Sequence, residues 1–383
     1  MKVIKDKLTT AIFVSRPNRF VVQCVRDTKP LTAYLPNPGR LWELLTPGCI
    51  LYLKQNSAAV KIPYTVMAVE KNRIPVMLHT HLTNDAVEVL LGKHLVPGLE
   101  DAKIIRREIV FGDSRFDFLL QKNGKQFVLE VKNCTLFYDR LAMFPDAVTE
   151  RGSRHLTGLI ELREQGIDAG VLFVVQWPRA RYFMPEFHTD LEFSRIFLKC
   201  RHRIFTKAIA LTWEKDLSLA GHVQELVIPW ETIEDNTRDG GCYIIILRLD
   251  RDSEITVGEL GNIFFRKGYY LYAGSAKKGL TKRIERHRRL RKNVFWHIDY
   301  LREKTVFHKS LPIRTAENIE CALAADLQKT ADWSIPQFGC SDCSCKSHLF
   351  GMNGDPVKSI QFIETLHNYR MQLMEEKLIY DGS

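Results

Sequence analysis

The run Val171-Leu172-Phe173-Val174-Val175 restricts the fold of this chain more than any other feature. Five consecutive apolar residues read as a strand with no polar face. Such a strand must be covered on both sides, so helices are required on either face of its sheet. The segments before it supply the remaining strands. β-like runs fall near Ile104–Phe111, Arg115–Gln121 and Gln126–Lys132, and Asn123-Gly124 joins the last two as a hairpin signal. Val87, Leu90, Leu91 and Leu95 recur at helical spacing, which predicts a helix from Asn84, read as its N-cap, to Leu95. A second helix is expected from about Asp146 to Gln165. Residues 79–230 therefore read as an α/β domain.

The flanking regions differ in pattern. Residues 1–78 hold short β-like runs such as Arg19–Val25, Ile50–Leu53 and Tyr64–Val69, punctuated by Leu35-Pro36-Asn37-Pro38-Gly39-Arg40. Many short strands with turn signals suggest a small barrel. The polar stretch 231–240 reads as a linker. A third domain is expected over 241–362, with a helical tail over 363–383. A length of 383 residues suits two or three domains.

Composition narrows the setting. The formal net charge is +10, which favours polyanionic partners such as DNA or RNA. No apolar run is long enough to span a bilayer, and Met1–Thr10 lacks the apolar stretch of a signal peptide. A cytoplasmic protein with no membrane partner is expected. Of nine cysteines, Cys24, Cys49, Cys134, Cys200, Cys242 and Cys321 are scattered and read as reduced structural thiols; Cys340, Cys343 and Cys345 crowd together.

Three charges interrupt the apolar strands: Asp117 in Arg115-Phe116-Asp117-Phe118, and Glu130 with Lys132 in Leu129-Glu130-Val131-Lys132. Strand residues two apart share a face, so Glu130 and Lys132 project together, and a hairpin brings Asp117 towards them. Two carboxylates can hold Mg²⁺ or Mn²⁺, which polarises a phosphate and activates water, and a lysine can stabilise the developing charge. An exposed hairpin with alternating charges is the plainer alternative, but charges embedded in apolar strands are costly unless paired or functional. Gln176, ending the buried strand, is expected where catalytic residues sit in open α/β sheets. Asp146, Glu150, Arg151 and His155 lie near a helix start, which either attracts phosphate or is simply capped by acidic residues.

These residues carry a resemblance. Leu35–Leu41, His79–Asn84, Ser114–Phe118, Glu130-Val131-Lys132, Phe144–Gly152 and Phe173–Gln176 resemble the sugar fermentation stimulation protein A family over nearly all of residues 1–230. The resemblance implies a barrel of oligonucleotide-binding type followed by a restriction-endonuclease-like PD-(D/E)XK domain, in which Asp117, Glu130 and Lys132 match the catalytic motif. Such nucleases often add a glutamate from the preceding helix, here Glu88. The family name also points to a non-catalytic DNA-binding regulator of sugar metabolism genes, and an RNA-processing accessory protein is a third possibility. Nucleic-acid contacts are expected from Arg40, Arg115 and Arg151.

In the last third, Gly241-Cys242-Tyr243-Ile244-Ile245-Ile246 and Gly268–Ala276 read as a hairpin carrying Tyr243 and Tyr272. Next, Lys282–Lys292 reads as a strongly basic helix able to track a phosphate backbone. The segment resembles the GIY-YIG nuclease superfamily, an α+β fold. The Gly241-Cys242-Tyr243 and Tyr272-Ala273-Gly274 elements stand for the two name motifs, Arg283 for the helix arginine, and His287 for the basic position one turn on. Glu320, with Glu317 as the alternative, matches the cation-binding glutamate. The resemblance implies phosphodiester hydrolysis: Tyr243 or Tyr272 orients or deprotonates water, Arg283 steadies the phosphate and Glu320 holds a cation. Lys282, Arg286 and His287 are expected to contact nucleic acid. Finally, Cys340, Cys343, Cys345 and His348 offer four soft ligands for a structural Zn²⁺, or are reduced thiols in a loop.

Overall fold

In the N-terminal region, short strands alternating buried and exposed residues curl into a closed barrel. The computed structural model describes residues 1, 3, 4 and 7–381. β1 (Leu8–Asn18), β2 (Val21–Arg26), β3 (Lys29–Tyr34), β4 (Ile50–Gln55) and β5 (Tyr64–Lys71) run in the order β3-β2-β1-β4-β5, and a parallel pairing of β3 with β5 closes the ring. β6 (Ile74–Met77) adds a hairpin to β5. The Pro-Asn-Pro-Gly loop after β3 is organised by Arg16. Its guanidinium donates to the carbonyls of Asn37, Gly39 and Arg40 at 3.0, 2.7 and 2.8 Å.

The barrel and the following domain form one compact unit, Met1–Glu186 with Glu192–Glu234. Its elements after the barrel are α1 (Leu82–Gly92), β7 (Lys103–Phe111), β8 (Ser114–Lys122), β9 (Lys125–Cys134), β10 (Leu136–Phe137), β11 (Leu141–Phe144), α2 (Glu150–Glu164), β12 (Asp168–Val175), β13 (Tyr182–Pro185), α3 (Leu191–Cys200), β14 (Phe205–Ala210), β15 (Gln224–Glu225) and α4 (Trp230–Asn236). The main sheet has the order β15-β14-β12-β9-β8-β7, with β12 parallel to both β9 and β14. As the apolar run demands, β12 is buried from Ala169 to Val175. The β8–β9 turn places Asn123 and Gly124 at φ 49° and 78°, the positive values a type I′ turn needs.

Helices cover both faces. Val87, Leu90 and Leu91 of α1 pack with Phe118, Leu129, Val131 and Leu172, while α2 lies along β8 and β12 on the other side. Strand parity on β9 therefore turns Leu129, Val131 and Asn133 towards α1, and Glu130 and Lys132 towards α2. Four local expectations are corrected. α1 starts at Leu82, so Asn84 lies in its first turn rather than capping it. α2 starts at Glu150, capped by Thr149 Oγ1, which accepts from the Gly152 amide at 3.0 Å. The stretch 231–240 begins as helix, since α4 buries Ile233. Gln176 is fully buried rather than at an open sheet end. Its amide donates to Asn133 Oδ1 at 2.7 Å and accepts from Trp213 Nε1 at 2.7 Å.

The second unit comprises Phe187–Leu191 and Asp235–Ser383. It contains β16 (Gly241–Leu249), β17 (Ser253–Thr256), β18 (Asn262–Phe265), β19 (Gly268–Ala276), α5 (Leu280–Arg288), α6 (His297–Lys304), β20 (Val306–Arg314), α7 (Glu320–Thr330), β21 (Trp333–Ser334), β22 (Leu349–Met352), α8 (Ile360–His367) and α9 (Leu373–Asp381). The antiparallel sheet has the order β20-β16-β19-β22-β21. β16 and β19 pair along their whole length as expected, but the β17–β18 ribbon is inserted between them. The basic helix is shorter than its run of charges: α5 ends at Arg288. The helical tail starts at Ile360 and packs on α7, burying Phe362 and Leu366. Among the described residues, no helix is long and apolar enough to cross a membrane.

The Gln176 network predicts a stability effect. Gln176→Leu leaves buried Trp213 Nε1 without its acceptor, which costs about 1–3 kcal/mol, while Asn133 Oδ1 keeps the Thr83 hydroxyl at 3.0 Å. Urea unfolding of the variant should show a loss of roughly 1–3 kcal/mol; an unchanged midpoint would show that the network is dispensable.

Candidate functional site

The β8–β9 ladder pairs Phe118 with Leu129 and continues towards the turn. At Asp117 the two strands part, and the carboxylate takes up hydrogen bonds that the ladder leaves open. The Val131 amide donates to Asp117 Oδ2 at 2.7 Å, and Asn84 Nδ2, from α1, donates to Oδ1 at 2.7 Å. Glu130 points to the opposite helix. Lys132 Nζ and His155 Nδ1, the latter from α2, each donate to Glu130 Oε1 at 2.5 Å. Among the described residues, buried Glu130 Oε2 has no hydrogen-bond partner.

This arrangement separates the two acids. Burial and the nearby Glu130 charge raise the Asp117 carboxyl to about 6, against the opposing pull of the Val131 amide, Asn84 and Lys132. Burial also works against charge on Glu130, but Lys132 and His155 outweigh it and hold that carboxyl below its ordinary value. The site thus offers one firmly ionised carboxylate with an open oxygen, one carboxylate that ionises near neutrality, and an ammonium beside them. That donor set fits a hard divalent cation, which prefers carboxylate oxygen.

The expected trio is therefore brought together, and two residues that sequence reasoning placed elsewhere join it. By sequence Asn84 is a helix cap and His155 belongs to a helix-start anion site. Glu88 does not join it. It pairs with Arg107 at 2.7 Å on the half-exposed flank of α1, beside Asp85. The phosphate reading of the helix start also changes: Asp146 accepts from the Leu41 amide at 2.9 Å and from Arg40 Nε at 3.2 Å, so both side chains join the barrel loop to the sheet domain. Arg115 is exposed near Glu108. Arg151 is exposed and reaches His155 Nε2 at 3.4 Å.

In the second unit, β16 and β19 hold Tyr243 and Tyr272 with ring centroids 6.4 Å apart. Tyr243 Oη lies 2.9 Å from His287 Nε2. Burial, then each other's proximity and Glu320, push the phenol of Tyr243 well up, and burial does the same for Tyr272. Arg283 stacks on Trp296 at 4.3 Å. Glu320 Oε1 lies 3.2 Å from His348 Nδ1; burial opposes its charge, but His348 and Ser275 hold the carboxyl low. Glu317 is exposed.

The basic surface is smaller than expected. His287 is buried and serves Tyr243, correcting its assignment as a nucleic-acid contact. Arg286 and Lys292 turn to buried Asp299, at 3.0 and 2.6 Å. Lys282, Arg288, Arg289 and Arg291 remain exposed. The soft-ligand cluster also changes membership: the atoms lying within 4.8 Å of one another belong to Cys321, Cys343, Cys345 and His348. Cys321, at the start of α7, replaces Cys340. Only folding puts it there, so its isolated place in the sequence gave no signal.

A barrel of oligonucleotide-binding type leading into a sheet with Asp117, Glu130 and Lys132 at its centre defines a protein built on a restriction-endonuclease-type fold. Comparison with known proteins agrees. Residues 14–78 match the SfsA N-terminal OB domain, and residues 81–215 the sugar fermentation stimulation protein RE domain. A Clostridium tetani sugar fermentation stimulation protein homolog is 37% identical over 194 residues, 50% of this chain and 84% of that protein. A Clostridium perfringens homolog is 36% identical over 219 residues, covering 56% and 95%. The structure of Pyrococcus furiosus SfsA in complex with Ca²⁺ aligns with a TM-score of 0.55 at 29% identity, covering 60% of this chain and 99% of that one. The chain belongs to the sugar fermentation stimulation protein family. Residues 242–370 add a GIY-YIG-like domain that matches the domain of unknown function DUF123. Both families are related to nuclease folds.

The split acidity is measurable. Carboxyl carbon NMR should place the Asp117 midpoint near 6. Because a neighbouring negative charge raises an acid, Glu130→Gln should move that midpoint down. A wild-type midpoint in the ordinary aspartate range would contradict the geometry.

Proposed function

We propose that this protein is a nucleic-acid-binding, divalent-cation-dependent nuclease whose cleavage site is Asp117, Glu130 and Lys132. The observation that carries the reading is Glu130 Oε2, buried and without a hydrogen-bond partner among the described residues, beside the partly buried Asp117 carboxylate. An uncompensated buried carboxylate oxygen is costly unless something binds it. Mg²⁺ or Mn²⁺ bound there would polarise the scissile phosphate and acidify a water. The Ca²⁺ in the Pyrococcus furiosus complex supports a taste for hard cations in this family.

The chain's own residues have distinct tasks in this reading. Asn84 and the Val131 amide fix Asp117, while His155 fixes Glu130 and leaves its second oxygen open. Lys132 supplies positive charge where the phosphorus accumulates negative charge as water adds and the ester P–O bond breaks. Since both carboxylates must be ionised to hold a cation, cation affinity rises with pH through about 6, the midpoint of metal-free Asp117.

The barrel is proposed to deliver single-stranded nucleic acid. Phe20 and Tyr34 are exposed on its surface, 44% and 38%, with rings stacked at 6.4 Å. Exposed aromatic faces of this kind stack on bases. In the second unit, Lys282, Arg288, Arg289 and Arg291 give a cationic surface for phosphates.

Two experiments test the proposal. Purified protein should cleave single- or double-stranded DNA or RNA in the presence of Mg²⁺ or Mn²⁺, and Asp117→Asn or Lys132→Ala should each lower the rate at least about 10²-fold. Salt-sensitive binding without cleavage of any of these substrates would instead establish a non-catalytic regulator. Separately, Phe20→Ala with Tyr34→Ala should weaken single-strand binding about 10-fold or more, since stacking contributes about 1–3 kcal/mol per base. Unaltered affinity would remove the barrel face from the binding surface.

A further inference from the structure

We infer that the second unit holds a zinc ion on Cys321, Cys343, Cys345 and His348, and that Glu320 acts as a positioning residue for the zinc-bound histidine. Three thiol sulfurs and one imidazole nitrogen lie within 4.8 Å of one another. A tetrahedral Zn²⁺ about 2.3 Å from each sulfur sets sulfurs about 3.8 Å apart, so small side-chain shifts close the site. The donors come from separate parts of the chain: Cys321 from the first turn of α7, Cys343 and Cys345 from the loop between β21 and β22, and His348 from the residue before β22. A disulfide would use two of these thiols and leave the third, with the imidazole, unexplained. Zinc uses all four, and three thiolates with one imidazole is a common structural zinc set.

The two nitrogens of His348 face different groups. Nε2 lies 3.5 Å from Cys343 Sγ, on the cluster side. Nδ1 lies 3.2 Å from Glu320 Oε1, close but not aligned as a good hydrogen bond. Zinc ligation through Nε2 fixes the proton on Nδ1, and the ring then donates that proton to the carboxylate. This is the carboxylate–histidine–zinc arrangement, in which the outer carboxylate orients the ring and strengthens it as a ligand. Glu320 and Cys321 are consecutive, so one turn of α7 supplies both a zinc ligand and the carboxylate behind another. The zinc site thereby holds Glu320 in place near Tyr243 and Tyr272, close enough for its charge to act on both phenols.

The full chain, purified under reducing conditions, is assayed for metal by mass spectrometry and for zinc affinity by chelator competition. Wild type and Cys340→Ser should carry about one zinc, whereas Cys321→Ser and Cys343→Ser should lose it. Glu320→Gln should retain the site but bind zinc 10- to 100-fold more weakly, with Glu317→Gln unchanged as the control. Should the cysteine variants fail to fold, wild-type protein loaded with Co²⁺ still answers the question through the visible bands of a tetrahedral, thiolate-bound ion. Zinc-free wild type that also gives no such spectrum overturns the site. Loss of zinc in Cys340→Ser but not in Cys321→Ser overturns the ligand set. Glu320→Gln binding as tightly as wild type overturns the role of Glu320.

Discussion

The first unit is organised around two neighbouring acids, Glu130 buried and Asp117 partly buried. Glu130 is 3% exposed and lies in the strand next to the centre of the sheet, a position where an uncompensated charge would oppose folding. Lys132 from the same strand face and His155 from α2 resolve this by converging on one oxygen. Removing a partner from such a buried pair costs about 3–5 kcal/mol. The consequence reaches beyond the site. α2 must lie where His155 meets Glu130, and α1 where Asn84 meets Asp117, so the helices that bury the sheet also define its acidic centre.

A parallel device operates in the second unit. Asp299 is fully buried at the start of α6 and collects Arg286, Lys292 and the His287 ring. These partners hold its carboxyl far below the ordinary range despite burial. His287 in turn meets Tyr243. Cations that look like a continuous phosphate-tracking surface are thus divided between an internal network and an exposed remainder. Close packing around Tyr243 is equally strict: a Cβ on Gly274 would lie 2.5 Å from its hydroxyl oxygen, so glycine is required on β19 there.

Much of this was legible in the sequence because the signals are local. An apolar run without a polar face identified β12, a dipeptide identified the β8–β9 turn, and parity placed Glu130 with Lys132. The family resemblance then fixed the barrel and the sheet domain. What escaped were contacts made by tertiary structure. Asn84 has the chemistry of a cap and His155 that of a helix-start residue, and neither sequence position discloses the carboxylate it meets. Cys321 stands nineteen residues before the cysteine cluster (Cys340 − Cys321), and the packing of α7 on β19 and β22 brings it to Cys343 and Cys345 rather than to Cys340. Glu88 failed for the same reason in reverse, since helical phase turns it to Arg107.

The central claim is that Asp117 and the open oxygen of Glu130 form a built cation site. Anomalous diffraction from crystals of the protein equilibrated with Mn²⁺ tests it directly. The account predicts a peak within about 2.0–2.3 Å of a carboxylate oxygen of both residues, with Lys132 close by. Absence of a peak there at saturating Mn²⁺, or a cation held elsewhere in the first unit without either carboxylate, would contradict it.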